Sequence, residues 1–201
     1  LKRDMETALL SNVAKAAGNA TTARKLGGCP TWYETNVDAG AGGSGAGNGA
    51  IRTDGTQRAF TEDQLKGILV SCYNEGGNPN MIMVNAFNKQ KLSGFTGGST
   101  RFDAAEDRRL ITSIDVYESD FGTMQVSPNR FIRGANSTAA KIGQDAHILD
   151  MEYWAVSFLR DFALQTPAQT ADADQRFMVA EYTLESRNEK ASGLITDLTT
   201  S

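Results

Sequence analysis

The segment Arg176-Phe-Met-Val-Ala-Glu-Tyr-Thr-Leu-Glu-Ser-Arg-Asn188 constrains this chain more than any other part of it. Phe177, Val179, Glu181, Thr183 and Glu185 fall on one side, and Met178, Ala180, Tyr182 and Leu184 on the other. That period of two predicts one long, half-buried strand near the C-terminus, longer than the usual five or so residues. A strand this regular must pair with something distant in sequence or with another chain, because a lone edge leaves its amides and carbonyls unmet. It carries no group suited to catalysis. The feature therefore points towards a building block rather than an enzyme.

The 201 residues suffice for one large domain or two small ones, and a hydrophobic fraction of 40% suffices for a core. A net charge of −4 does not mark a general nucleic-acid binder. No apolar run approaches the roughly 18–20 residues of a membrane span, so no membrane partner is expected. The chain opens on helical pattern at Leu1-Lys-Arg-Asp-Met without an initiator Met, and an upstream segment is expected. Cys29 and Cys72 are too far apart in sequence to suggest a disulfide framework or a metal motif. Cys72 falls on an apolar helical stripe and reads as a small buried hydrophobe.

Met5, Leu9, Val13 and Ala16 recur at helical spacing and predict a helix over residues 1–17, closed by Gly18. Residues 27–55 are glycine-dense and read as a flexible junction; Gly42, Gly43 and Gly45 are its candidate hinges. Thr61-Glu-Asp-Gln64 is a capping box opening a helix whose buried stripe is Leu65, Ile68, Leu69 and Cys72. Gly76-Gly77 and Pro79 end that helix. Met81–Val84 then reads as a buried strand, and Asn85 as the cap of a short helix. Residues 109–118 and 123–127 read as a β-hairpin turning at Ser119-Asp-Phe-Gly122. His147–Asp150, Tyr153–Leu159 and its continuation to Gln165 complete the strands. A mixed α+β fold follows.

Few motifs offer chemistry. Gly40-Ala-Gly-Gly-Ser-Gly45 formally matches a dinucleotide fingerprint, but that motif needs a following helix to hold the pyrophosphate, and Ile51-Arg-Thr-Asp-Gly is no helix start. Asp145, His147 and Asp150 suggest metal ligands only weakly, since His147 is the single histidine and Asp150 would face away from it on a strand. Neither cysteine has a Cys-His context in sequence. Asp115, Glu118 and Asp120 cluster at the hairpin, where a solvated tip explains them as well as acid–base work does. The mixed-charge loop from Arg101 to Arg109 fits a subunit contact as well as a solvated loop. No catalytic residue, cofactor or metal is expected.

Four segments, taken in order, resemble a known family: Gly28-Cys-Pro-Thr-Trp-Tyr-Glu-Thr-Asn36, Lys91-Leu-Ser-Gly-Phe-Thr-Gly97, Asp115–Thr123 with Val126-Ser-Pro-Asn-Arg-Phe131, and Glu181–Leu198. They are similar to the major capsid proteins of tailed bacteriophages and prophages, across nearly the whole chain. The resemblance implies a Hong Kong 97-like fold, with a peripheral domain of spine helix and long sheet plus a mixed α/β axial domain. It implies that this chain lacks the N-terminal arm and extended loop of that fold. Residues 1–54 and 161–201 would be peripheral and residues 55–160 axial. The terminal strand would belong to the peripheral sheet, pair with residues 153–166 across the polar turn 171–174, and be followed by a tail completing the same domain. The implied function is self-assembly through pentamers and hexamers into an icosahedral shell around double-stranded DNA, touched weakly and without specificity. The virion, put together in the bacterial cytoplasm, would be its location. Subunit contacts are expected at Phe95, Arg101, Arg108 and Arg109. A phage tail or adhesion component, or a small nucleotide-binding enzyme using the Gly40–Gly49 loop, are the alternatives.

Overall fold

The computed structural model describes residues 2–95, 115–132, 142–168 and 175–200. Its centre is a six-stranded mixed sheet. In chain order the strands are β1 (Val37–Asp38), β2 (Met81–Val84), β3 (Val116–Ser119), β4 (Gly122–Pro128), β5 (Ala146–Leu149) and, after the two strands described below, β8 (Gly193–Ile195). Their spatial order is β1-β8-β5-β2-β4-β3. β5 pairs antiparallel with both β2 and β8, so it lies in the interior of the sheet, and every one of its residues is buried.

Helix α2 (Glu62–Asn74) begins where the capping box predicts: the Thr61 hydroxyl accepts from the Gln64 amide, and the Gln64 side chain accepts from the Thr61 amide. Its stripe of Leu65, Ile68, Leu69 and Cys72 is buried against Ile82, Val84, Met124, Val126, Ile148 and Ile195. Gly193 is required for that approach, because a Cβ there would lie 2.3 Å from Ile68 Cγ2. Burying each large aliphatic side chain in this layer contributes about 1.5–3 kcal/mol. Helix α3 (Ala86–Ser93) is capped by Asn85, whose side chain accepts from the Asn88 amide at 2.6 Å. On the opposite side of the sheet, Cys29, Tyr33, Leu149 and Leu194 form a second core with Met81, Met83 and Trp154 around it. The alternation of Met81 and Met83 against Ile82 and Val84 thus feeds both cores.

Strands β6 (Trp154–Gln165) and β7 (Phe177–Ser186) form a separate antiparallel ribbon, from Trp154 opposite Ser186 to Gln165 opposite Phe177. The expected pairing of the terminal strand with residues 153–166 is what the ribbon contains; the turn 171–174 lies outside the described residues. The expected half-burial is met in part: seven of the ten β7 residues are partly buried, with Leu184 packed on the second core, and none is fully buried. Val156, Phe158 and Leu164 on β6 and Met178 on β7 are all exposed, at 36–59%. The alternation in sequence therefore marks an apolar face that is covered only towards Trp154 and Leu184, where it meets the second core. The Arg160 guanidinium and the Glu181 carboxylate form an ion pair on the polar face.

Three further expectations change. Helix α1 covers only Lys2–Leu10, although the apolar periodicity runs on to Ala16. Tertiary partners end it: the Asn12 side chain accepts from the Arg52 amide and donates to the Arg52 carbonyl, and the Lys15 amide donates to Gly49. Gly18 (φ +76) serves the turn between Ala16 and Lys25, which are bridged, and does not close a helix. Strand pairing also crosses the expected division at residues 54 and 160. β1 and β8, expected with the periphery, lie in one sheet with β2 to β5, while β6 spans the boundary at 160/161. The tail after β7 accordingly joins the central sheet instead of extending the ribbon's own layer. Finally, the glycine-dense run is packed and not a free linker. A Cβ on Gly40 would lie 2.1 Å from the Thr56 carbonyl oxygen, and one on Gly45 would lie 2.7 Å from Val37 Cγ2.

Candidate functional site

The densest polar chemistry sits around Arg52, a residue no motif singles out. It is 2% exposed. Its guanidinium donates to Asp145 Oδ1 at 2.7 Å and to Asp197 Oδ1 at 3.3 Å, and pairs with Asp54 at 2.8 Å. The glycine-rich loop, the approach to β5 and the C-terminal tail are thereby tied to one cation. Three carboxylates facing one guanidinium in a buried place cannot all ionise cheaply. Asp145 yields: its complete burial, together with the charges of Asp197 and Asp54, pushes it up to about 7 despite Arg52. Asp197 behaves oppositely. Burial raises it, but the amides of Gly55 and Gly40, the Thr196 hydroxyl and Arg52 outweigh that and leave it below the usual carboxylate range.

Asp197 also settles the fate of the dinucleotide-like run. The Gly40 amide donates to Asp197 Oδ2 at 3.0 Å, so a carboxylate occupies the place where a phosphate would be cradled. A two-residue strand, β1, does precede the run, but no helix follows it until Glu62, so no helix N-terminus faces the loop as the motif requires.

A Cys-His contact, absent from the sequence pattern, does exist in space. Cys29 Sγ lies 3.8 Å from His147 Nδ1 and 3.4 Å from the Tyr33 hydroxyl. It is not poised for nucleophilic chemistry. Burial pushes the Cys29 thiol up to about 12, and burial with the nearby Arg52 charge pushes His147 down to about 3. Thiol and imidazole are both neutral and enclosed. Asp150 points elsewhere, accepting from the amides of Asn78 and Glu152, and no metal-binding group of His, Cys, Asp and Glu occurs among the described residues. At the hairpin, Lys89 pairs with Asp115, while Glu118 and Asp120 are exposed. Among the described residues no helix is long and apolar enough to cross a membrane.

The residues expected at subunit contacts are placed only in part. Phe95 packs edge-on to Phe60, with ring centroids 5.1 Å apart, and belongs to the core against α2. Arg101, Arg108 and Arg109 lie outside the described residues. Of the three expected hinge glycines, Gly42 (φ +83) has open space around its Cα, whereas Gly43 and Gly45 are packed against Asp197 and Val37. What the surface does present is apolar: the ribbon face, and a patch of Val70, Tyr73 and Phe121 between α2 and the β3–β4 turn, with the two rings 4.8 Å apart.

Comparison with known proteins decides the family. A family model described as SU10 major capsid protein matches residues 1–199. The chain belongs to the SU10 major capsid protein family. No curated protein sequence matches the chain. Among solved structures, the holo-SrpI encapsulin complex from Synechococcus elongatus PCC 7942, determined by cryo-electron microscopy, is 11% identical with a TM-score of 0.43. That match covers 71% of this chain and 51% of the encapsulin chain, so this chain spans about half the length of that subunit.

Proposed function

We propose that this member of the SU10 major capsid protein family is the subunit of an icosahedral shell that encloses phage DNA. The observation carrying the proposal is the family match along residues 1–199. The physics agrees with it. A shell subunit needs a rigid body and several modest surfaces repeated about rotation axes, and many weak contacts made together suffice. The Arg52 node supports rigidity, and the exposed apolar patches support contact-making. In this reading the chain adopts the Hong Kong 97-like arrangement, with the β6–β7 ribbon as the peripheral element and the six-stranded sheet as the axial one. Pentamers and hexamers form its assemblies, the virion is its location, and the bacterial cytoplasm is where it assembles. The net charge of −4 favours only weak, non-specific contact with the packaged DNA. Gly42 is the remaining hinge position, and Arg101, Arg108 and Arg109 remain contact residues of the proposal.

Expression of the protein from its complete gene, followed by negative-stain electron microscopy, tests this reading. Closed shells or isolated capsomers are expected. Tubes, fibres or open rings alone would favour a tail component instead.

A further inference from the structure

The patch beside the β3–β4 turn carries more information than its apolar character. Val70 and Tyr73 on the outer side of α2 are 42% and 59% exposed, and Phe121 at the turn is 37% exposed. The Tyr73 and Phe121 rings stack at 4.8 Å over a shallow cleft floored by Pro79 and Met124. Exposed, mutually packed aromatics are the composition of an interface centre. At the turn beside Phe121 the surface is acidic, with Glu118 and Asp120 exposed, while Lys66 and Lys190 on the α2 side are engaged by Glu62 and Glu75.

Elsewhere the same chain carries the complementary surface. Lys15, Arg24 and Lys25 are exposed on the Ala16–Lys25 turn and its flank. The Lys15 ammonium sits 5.1 Å over the half-buried Trp32 ring, so this basic strip also offers an aromatic face. The ribbon, though more apolar, offers less selection: on its polar face Arg160 pairs with Glu181 and Arg187 with Glu185, and Glu181 also feels Arg24 of the basic strip at longer range.

We infer that the Val70–Tyr73–Phe121 patch docks the Lys15–Arg24–Lys25 strip of a second copy of this chain. The inference rests on the shell reading, which supplies the second copy. The two surfaces are different, so the contact is head-to-tail, the kind that closes into rings when the rotation fits. The aromatics supply the buried centre, and the charges set register and encounter rate, so the contact weakens with salt.

The test uses the full chain and sedimentation velocity at low and high salt. Glu118→Lys with Asp120→Lys reverses one surface, Arg24→Glu with Lys25→Glu reverses the other, and Tyr73→Ala removes the centre. All five positions are exposed, so thermal melting should stay close to that of the parent. Each reversal, and Tyr73→Ala, should raise the protein concentration needed for assembly at least about tenfold. The quadruple reversal, which restores complementarity between copies, should recover assembly. A parent that assembles while either reversal assembles equally well would overturn the docking inference alone, as would a quadruple variant without recovery. A parent that stays monomeric at high concentration would overturn the shell reading and the docking together.

Discussion

Replacing Arg52 with Met is the sharpest perturbation of the folded body. The methionine keeps much of the aliphatic volume but removes the guanidinium that faces Asp145, Asp197 and Asp54. Breaking a buried ion pair by deleting one partner costs about 3–5 kcal/mol, because the other charge stays buried. For a chain of this length, roughly 2–4 °C of melting temperature is lost per kcal/mol, so a fall of about 6–20 °C is expected. The pH dependence separates this account from simple loss of packing. Without the guanidinium Asp145 is raised beyond its already elevated value, while Asp197 keeps the Gly55 and Gly40 amides and the Thr196 hydroxyl and rises only from its lowered one. A raised folded pKa means stability that is present below the unfolded value near 4 and is lost as pH rises. The deficit of Arg52→Met relative to the parent should therefore be smallest near pH 4–5 and grow as pH rises through 7 and above. Urea unfolding followed by circular dichroism at a series of pH values measures it. A deficit under about 1 kcal/mol, or one that does not change with pH, would refute the electrostatic reading of the node.

Other outcomes follow from the same geometry. Asp145, raised to about 7, contributes stability present in acid and lost as pH rises to 7, while His147, lowered to about 3, contributes stability present above about 6.5 and lost in acid. Between pH 4.5 and 6.5 the two oppose each other. His147→Gln should therefore tilt the stability profile downward with rising pH relative to the parent, and Asp145→Asn should tilt it upward, each by up to roughly 1.4 kcal/mol per pH unit; parallel profiles would count against the assigned shifts. Gly28→Ala places a Cβ 1.8 Å from the Ser11 carbonyl oxygen and should prevent stable folding, whereas Gly42→Ala, with open space but φ +83, should cost only about 1 kcal/mol in thermal denaturation. Cys29 and Cys72 are both buried with thiols pushed up to about 12, so a thiol reagent should label neither in the native protein and both after unfolding; prompt native labelling would show that the core opens.

Local signals carried much of the fold. The Thr61–Gln64 box, the Asn85 cap, the Ser119–Gly122 turn and the long alternation at residues 176–188 each act through neighbours in sequence, and each appears where its pattern places it. Non-local partners were not legible. The end of α1 is decided by Asn12 meeting Arg52, and the packing of the glycine run by Asp197; no periodicity encodes either encounter. The Arg52 node was invisible for the same reason, since its acids stand at positions 54, 145 and 197 and form no motif. Burial was only partly legible in the ribbon: alternation separates two faces but does not say how much of the apolar one is covered. The Cys29–His147 contact shows the converse, a suggestive pair in space that its enclosure renders inert.

Copies of this chain, as capsid subunits, are proposed to build a shell wall. A cryo-electron microscopy reconstruction of particles assembled from the complete gene product tests it most directly. A closed shell is expected, each lattice position holding the six-stranded sheet and the β6–β7 ribbon, with α2 against the sheet and Arg52 engaged by its aspartates. A shell wall lacking this chain, or particles in which it forms only tubes or fibres, would contradict the account.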